Sequence, residues 1–534
     1  MVEHATLTIR GGRRIVDDVS ISITRPSVAA VIGPSGAGKS SLLRMATGQV
    51  SPSSGAVTLN GATMTSHRHA HRGQVGVVPQ HTVAHGALTA RQALEYTARL
   101  RLSTDVSRSE RHRLVSDVLE RLGLTAHADT RISRLSGGQQ RRVGIAMEML
   151  TDPSMLILDE PTAGLDPSLV QQIMTVLRRL ADGGKQVLVV THDLDHLDLV
   201  DEVLVLQAGG APAYYGPPSG VFAHFGTTSW AETFAKLAVP GPPWAGRTVS
   251  GPANPVRLPN APRSFRTVLA QFLVVLQRQL RLIATDPLYL ALLVGMPLAL
   301  GALALAVPGD SGLGKPPDPT GAEAMLLLVL LIVGGAPLGI ATPIRDLVGE
   351  HNIFAHERDA GLSAQGYLAA KVGVFFAVAI LQCVLLVGVV LVSRPGPGDA
   401  LVLGSPNLEL GVAVVATALA GVALGLAISS RVSTTEQTMP PLVLAIMGQI
   451  VMCGGLFPIH DRGPLEVIAV ALPTRWTYAA ASATVDLNNL TPTIDQDALW
   501  AHDTSTWLGC LLLTAALTAV FLGFAAQGVR RPLR

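Results

Sequence analysis

Val31-Ile32-Gly33-Pro34-Ser35-Gly36-Ala37-Gly38-Lys39-Ser40-Ser41 decides how the first half of the chain is read. An apolar run, residues 28–32, ends in G-x-x-x-x-G-K-S and opens onto helix-forming residues 41–47. Strand, glycine loop and helix start, in that order, make a phosphate-binding loop. Backbone N–H groups freed by the glycines point at β- and γ-phosphates, and the start of the following helix adds positive potential. Lys39 supplies a point charge and the Ser40 hydroxyl a Mg²⁺ ligand. The bland alternative is a glycine-rich turn closing a strand; the strand before the loop and the helix after it argue against that.

Composition sets the outer bounds. The 534 residues suffice for several domains with sizeable cores. A formal charge of +2, with 15% charged residues, provides no basic face for nucleic acid, so nucleic acid is not an expected partner. Hydrophobic residues make up 48% and mean hydropathy is +0.40, yet the charges crowd into the first half, so two different solvents are implied. Cys383, Cys453 and Cys510 fall in apolar runs without metal-ligand spacing and read as small buried hydrophobes. Residues 1–14 lack a signal-peptide core, which places the N-terminal half in the cytoplasm as an expectation.

Around the loop, residues 7–23 alternate apolar and polar about Gly11-Gly12, as an antiparallel hairpin would. Residues 56–59 and 75–78 read as short strands, the second ending at Pro79-Gln80; a glutamine there reaches Mg²⁺ and a water through its amide oxygen. Residues 88–135 turn helical, an inserted subdomain that ends in Leu135-Ser136-Gly137-Gly138-Gln139-Gln140, a second helix start able to hold an anion. Met155-Leu156-Ile157-Leu158-Asp159-Glu160 is a buried strand ending in two carboxylates. Asp159 suits the Mg²⁺ shell, and Glu160 a water in line with a γ-phosphate. Ala163-Gly164-Leu165-Asp166-Pro167 turns the chain into a helix reaching about Leu180. The strand 186–190 then ends in Thr191-His192-Asp193, where His192 can contact the γ-phosphate. Taken singly, Gln80, the acid pair and His192 each have an ordinary structural reading as strand-end polar residues.

Together these residues resemble the nucleotide-binding domain of an ABC transporter. Walker A (residues 33–40, with Ser41 following), Q-loop Gln80, signature 135–139, Walker B 156–159, Glu160, D-loop 163–166 and switch His192 stand in the family's order. The resemblance implies ATP and Mg²⁺ as cofactors. ATP would be bound by Gly33, Pro34, Ser35, Gly36, Ala37, Gly38, Lys39, Ser40 and Ser41, and the metal by Ser40, Gln80 and Asp159. It further implies Glu160, His192 and Gln80 as catalytic residues. Ser136, Gly137, Gly138 and Gln139 would close on the ATP of a second copy or of a related half-transporter, with Asp166 in the D-loop. One departure is that residues 9–14 contain no aromatic residue to stack on adenine; Arg10 or Arg13 could stack instead.

Ala213-Tyr214-Tyr215-Gly216-Pro217-Pro218 is similar to the end of that domain in ABCG (White-type) half-transporters. Residues 240–262 are rich in Pro and Gly, a linker by composition. Residues 264–285 have helical spacing with an apolar side, an amphipathic helix at the membrane surface. Six apolar stretches follow, near 287–307, 325–343, 372–392, 411–430, 439–457 and 507–527, each sufficient to cross a hydrocarbon core of about 30 Å. Basic residues in 345–371 and at Arg530-Arg531-Arg534 put those segments inside; 308–323 and 460–503 are net acidic and outside. Residues 467–472 are too short to span, and Trp476, Tyr478 and Trp500 read as interface anchors. Gln382 and Gln449, polar within the spans, read first as interhelical hydrogen-bonding groups. Residues 347–371 resemble the cytoplasmic coupling segment of White-like permeases.

The expected fold is thus an α/β P-loop NTPase, an ABC nucleotide-binding domain with a helical subdomain, followed by an all-α six-helix transmembrane domain. The expected boundaries are 1–225, a linker 226–263, the connecting helix 264–285 and a membrane domain 286–534. The expected activity is ATP hydrolysis coupled to export of a lipid-like or hydrophobic substrate by a dimer in the plasma membrane, in contact with membrane lipids. The nucleotide domain and C-terminus would be cytoplasmic. A membrane ATPase that senses or regulates partner proteins is the alternative from a different class.

Overall fold

Strand β3 (Ser27–Ile32) is buried along its whole length, which is what a strand covered on both faces requires. A computed structural model describes residues 2–531 except 10, 65–72, 81–82, 104, 240, 242–243, 245–264, 316–321, 458, 460–461 and 493–495. The chain divides into two compact units, residues 1–270 with 356–362, and residues 271–355 with 363–534.

In the first unit, β1 (Val2–Thr8), β2 (Arg14–Ile21), β4 (Ser54–Leu59) and β5 (Ala62–Thr63) form an antiparallel sheet in the order β2-β1-β4-β5. A second sheet has the order β10-β9-β3-β8-β7-β6, with β6 (Val75–Val78), β7 (Met155–Asp159), β8 (Gln186–Val190), β9 (Glu202–Leu206) and β10 (Pro212–Gly216). Strands β9, β3, β8, β7 and β6 are parallel; β10 is antiparallel to β9. Successive side chains divide between two cores as strand geometry dictates. Val28, Ala30, Ile32, Leu156, Leu158, Val187 and Val189 face one; Ala29, Val31, Ile157, Leu188 and Val190 face the other.

The second of these cores is closed by α1 (Lys39–Ala46), through Leu42, Leu43 and Met45, and by the antiparallel sheet. The first is closed by α2 (Ala90–Arg101), α3 (Arg108–Arg121), α4 (Gly137–Met149) and α5 (Pro167–Asp182). Thr89 with Gln92 and Ser136 with Gln139 make capping boxes for α2 and α4; Asp166 caps α5, and Pro167 opens it. The first unit continues past residue 225 through α6 (Val221–Phe225) and α7 (Trp230–Leu237). Most of the expected linker, 240–262, lies outside the described residues, as does Arg10.

Helices dominate the second unit: α8 (Phe265–Ala284), whose first turns belong to the first unit, α9 (Pro287–Ala302), α10 (Glu323–Ala341), α11 (Asp346–Gly349), α12 (His351–Ala360), whose second half belongs to the first unit, α13 (Ala364–Ser393), α14 (Pro406–Ser429), α15 (Met439–Val451), α16 (Gly463–Val470), α17 (Pro473–Val485), α18 (Leu487–Leu490) and α19 (Thr504–Arg530). Helix α14 packs against α10, α13, α17 and α19. Small residues allow this: a Cβ on Gly339 of α10 would stand 2.1 Å from the Ala418 carbonyl oxygen of α14.

Among the described residues six helices are long and apolar enough to cross a membrane: Phe265–Ala284, Pro287–Ala306, Glu323–Gly349, Ala364–Ser393, Pro406–Ser429 and Thr504–Arg530. The number matches the expectation, but one member differs. The stretch 439–457 is helical only over the 13 residues of α15, about 20 Å at 1.5 Å per residue, against a hydrocarbon core of about 30 Å. It is bounded by Pro440-Pro441 at its start and by a turn at Gly454, where φ is 92°. Conversely, α8, read as amphipathic, meets the length and hydropathy condition with a mean hydropathy of 1.2, against 2.2 or more for the other five.

Two buried glutamines of this unit find partners within it. Gln382 Nε2 donates to the Leu293 carbonyl on α9 (3.0 Å), and Gln449 Oε1 accepts from Thr474 N (3.1 Å) and Thr474 Oγ1 (2.6 Å) at the start of α17, the interhelical role expected of both glutamines. Tyr478 and Trp500 are buried, with ring centroids 5.9 Å apart, so they are core residues and not interface anchors. The three cysteines are free and buried. In native detergent-solubilised protein, N-ethylmaleimide should therefore label none of the three thiols quickly, while all three should react in SDS, as read by intact mass.

Candidate active site

A parallel sheet delivers the carboxyl ends of its strands to one edge, and this sheet brings four functional segments there in adjacent order. β3 leads into the glycine loop, β8 into His192, β7 into Asp159-Glu160 and β6 into Gln80. Register fixes their levels: Val31 pairs with Val190, Asp159 with Val190, and Val78 with Leu158.

The loop itself is shaped by backbone. Gly38, the N-cap of α1, has φ 84°, and a Cβ there would stand 2.3 Å from the Ile15 carbonyl oxygen, so only glycine fits. It brings no side chain to cap the helix, which leaves the first-turn N–H groups to an incoming anion. Lys39 is buried, and its Nζ donates to the carbonyls of Gly33 (2.9 Å) and Pro34 (3.0 Å), holding the ammonium at the loop. Burial lowers its pKa, opposed by the carboxylates of Glu160 and Asp159. Ser35, Gly36 and Ser40 are exposed, while Ala37 is buried.

Glu160 is the meeting point. Its Oε1 pairs with His192 Nε2 at 2.8 Å, and its Oε2 accepts from Gln80 Nε2 at 3.1 Å. This second bond turns the Gln80 amide oxygen away from the carboxylate. Glu160 holds φ 45°, a left-handed conformation uncommon for a side-chain-bearing residue; its N–H donates to the Val190 carbonyl (2.9 Å), and its own carbonyl accepts from Ala163 N (3.1 Å). Backbone bonds on both sides thus hold the strained residue in place. Asp159, one residue earlier, has its pKa raised by burial and by the adjacent Glu160 charge, against Arg44 and Lys39. Asp159, Ser40 and Gln80 carry oxygen donors of the kind Mg²⁺ takes.

The turn between β7 and α5 is tied to the end of β8 by the buried Thr162 and Thr191 hydroxyls, 3.3 Å apart. Asp166 accepts from Leu169 N (3.1 Å) and Ser168 Oγ (2.7 Å), which lowers its pKa. Ser136 to Gln139 form a separate hydrogen-bond set at the start of α4. Gln139 N donates to Ser136 Oγ (3.3 Å), Ser136 N donates to Gln139 Oε1 (2.9 Å), and Gln139 Nε2 meets His127 Nε2 (2.9 Å). The Gln139 side chain is therefore committed to shaping the turn. Ser136 and Gly137 are exposed, and the Ser136 hydroxyl retains its proton to donate. Gly138 packs against Leu169.

Sequence reasoning missed Arg44, whose charge acts on Asp159 from the last turn of α1, and the Thr162–Thr191 contact. A basic residue one helical turn beyond the lysine was visible but carried no motif. Arg13, in the β1–β2 turn, is exposed.

Strand-end carboxylates, a glycine loop with its lysine, and a helical second unit define a P-loop NTPase joined to membrane-crossing helices. Family models agree: an ABC transporter model matches residues 16–163 and an ABC-2 type transporter model residues 270–485. The ABC transporter ATP-binding/permease protein Rv1747 of Mycobacterium tuberculosis is 42% identical over 542 residues, 99% of this chain and 62% of that protein. Nod factor export ATP-binding protein I of Bradyrhizobium diazoefficiens is 36% identical over 217 residues, 40% of this chain and 70% of that protein. The broad substrate specificity ATP-binding cassette transporter ABCG2 of Mus musculus is 34% identical over 227 residues, 41% of this chain and 34% of that protein. The chain thus spans less than two thirds of the first and third of these relatives. It belongs to the ABC transporters, as an ABCG-like chain with its nucleotide-binding domain first and an ABC-2 type membrane domain second, and is a multi-pass membrane protein. ATP hydrolysis coupled to transport is the activity of that family.

The raised Asp159 pKa has a consequence for stability. A carboxyl group that holds its proton more tightly when folded loses stability as pH rises from the unfolded pKa through the folded one, and the full cost remains above it. Asp159→Asn should therefore raise the melting temperature of nucleotide-free protein at pH 7.5, by about 1–3 °C, while removing the further stabilisation given by Mg²⁺ with ATP. Thermal melts with and without Mg-ATP measure both.

Proposed function

We propose that this chain is an ATP-driven exporter that works as a dimer, moving a lipid-like or hydrophobic substrate across the cell membrane. The observation that carries the reading is the convergence of Gln80 and His192 on the Glu160 carboxylate, at the sheet edge that also bears the Lys39 loop, in a chain whose described residues include six membrane-length helices.

In this reading Lys39 and the amides of residues 33–41 bind the phosphates of ATP. Ser40, Asp159 and the Gln80 amide oxygen hold Mg²⁺, which when bound screens phosphate charge. Glu160 accepts a hydrogen bond from water and orients it toward the γ-phosphate. His192 holds that carboxylate and contacts the phosphate as the Glu160 pairing loosens. Ser136 and Gly137, exposed at the start of α4, close on the nucleotide held by a second copy, and Asp166 shapes the turn beside it. A signature turn and a phosphate loop that meet across two domains require a second copy or a related half-transporter in this reading. Transport names in two relatives, export of Nod factor and broad substrate specificity, support export as the direction and an organic substrate as the cargo. The apolar helices favour a lipid-like one. Lys and Arg residues in 345–371 and at 530–534 support a cytoplasmic side for those segments and for the nucleotide domain.

In the full-length protein in liposomes, Glu160→Gln should retain ATP binding and lose steady-state hydrolysis by at least about 100-fold. Lys39→Ala should weaken nucleotide binding itself. Phosphate release and binding of a fluorescent ATP analogue separate the two; hydrolysis at the wild-type rate in Glu160→Gln would refute the role given to that carboxylate.

A further inference from the structure

Away from the nucleotide site, an open groove of about 450 Å³ lies in the second unit between the start of α13 and the end of α19, a volume of ligand size. On α13 its wall includes Gln365, Leu368 and Val372, spaced i, i+3, i+7 along one stripe; on α19 it includes Leu522, Ala526 and Arg530, spaced i, i+4, i+8. Small residues keep the space open. A Cβ added at Gly523 would meet nothing within 4 Å, and Ala526 brings only a methyl group. The other side of α13 faces inward: Tyr367 O–H donates to Glu350 (2.9 Å), and the buried Lys371 ammonium pairs with Asp346 (2.8 Å) and Glu350 (2.7 Å).

The groove has a polar end and an apolar body. The chain enters α13 and leaves α19 at the same end, so Gln365 and Arg530 share that end while Leu368, Val372 and Leu522 lie deeper. Helix α13 has 30 residues, about 45 Å at 1.5 Å per residue, which matches a bilayer of about 40–45 Å with its headgroups. Gln365 therefore stands at headgroup level, and Val372, about 10 Å further along the axis, at the edge of the hydrocarbon. Both polar side chains are exposed, and neither has a hydrogen-bond or ion-pair partner among the described residues. Arg431, by contrast, also packs on α19 but is committed to Phe524, 4.8 Å over its ring and donating to its carbonyl (3.4 Å). Residues 364–393 and 504–531 contain no Asp or Glu, so the walls of the groove supply no counter-charge to Arg530.

These features select the occupant. A small soluble anion would meet Arg530 but leave the apolar wall uncovered, and a plain hydrocarbon would cover the wall but leave the guanidinium without a counter-charge. A second copy of the chain packed here would bury Arg530 without a carboxylate from either wall, which is costly. A phospholipid meets both requirements. Its phosphate accepts from the planar guanidinium fork and from the Gln365 amide N–H, and one acyl chain covers the stripe below. An anionic headgroup is favoured over a zwitterionic one, because choline brings its own cation close to Arg530.

We propose that the groove between α13 and α19 binds one anionic phospholipid of the surrounding bilayer, with its phosphate on Arg530 and Gln365 and one acyl chain along Leu368, Val372, Leu522 and Ala526. The lipid is a resident of this site and not the transported cargo. The site requires only that the chain crosses the membrane, and it stands apart from the roles given to Glu160 and from the direction of transport.

The test titrates delipidated full-length protein in detergent with phosphatidylglycerol and phosphatidylcholine of matched chains, read by native mass spectrometry. One phosphatidylglycerol per chain should bind about fivefold more tightly than phosphatidylcholine. Arg530→Gln should bring the two lipids to equal affinity, and Arg530→Lys should keep the preference. Ala526→Phe, which fills the groove, should weaken binding of both lipids at least about tenfold with the melting temperature unchanged. Should that variant fold poorly, a wild-type readout remains: phosphatidylglycerol with a diazirine in one acyl chain should label peptides covering residues 364–372 and 522–530, and unlabelled phosphatidylglycerol should compete. Equal affinity for the two lipids in wild type, a preference that survives Arg530→Gln, or labelling confined to other helices would overturn the proposal. Release of the lipid on adding Mg-ATP would overturn it in favour of cargo, and loss of dimers in Ala526→Phe with lipid binding intact would give the groove to a second copy.

Discussion

The site depends on one carboxylate held in a conformation it would not choose. Glu160 sits at φ 45°, pinned by the Val190 carbonyl on one side and Ala163 N–H on the other, and its two oxygens are taken by His192 and Gln80. Each of those three side chains terminates a different strand, and the strands are neighbours in a parallel sheet. The register of the sheet therefore sets the geometry of the chemistry. A shift of one residue in β7 would turn its side chains to the opposite faces and carry Glu160 out of register with Gln80 and His192.

Burying Lys39 and burying Asp159 next to Glu160 are each costly, which lowers the lysine's pKa and raises the aspartate's, while the ammonium and the acids partly relieve one another. A polyphosphate with its metal offsets that cost: the cation relieves the acids and the phosphates relieve the ammonium. Stability and ligand binding thus pull against each other at the same residues, as functional sites commonly do. The second unit is governed by a different constraint. Its helices approach through glycines, and its buried glutamines find partners on neighbouring helices, because apolar surroundings provide no water to satisfy them.

Much of this was legible in the sequence because the nucleotide motifs are local. Gly33 to Ser41, Ser136 to Gln139 and Asp159-Glu160 each act as a contiguous piece, and the strands before the first and third are short, mainly apolar runs. Membrane helices were legible as apolar runs, with one misreading that hydropathy alone invites. Residues 439–457 are apolar enough to span, but a proline pair at the start and a glycine turn near the end shorten the helix to α15. Interface anchoring of Tyr478 and Trp500 failed for a related reason: aromatic residues near span ends suit a bilayer surface and a helix core equally well by composition. What could not be read at all was the buried pairing of Glu148 on α4 with Arg101 on α2 and with the Val77 N–H of β6, since residues far apart in sequence meet there without a motif.

The central claim is that Gln80, Glu160 and His192 gather around the terminal phosphate of an ATP held by Lys39, with a second chain closing on it. A structure of the full-length protein bound to Mg²⁺ and a slowly hydrolysed ATP analogue tests this most directly. The account predicts the γ-phosphate between Lys39 Nζ and the Glu160 carboxylate, His192 moved onto the phosphate, and Ser136 of a second copy within hydrogen-bond distance of it. A nucleotide bound elsewhere, or in the loop of a single chain with Glu160 and His192 still paired and distant from the phosphate, would contradict it.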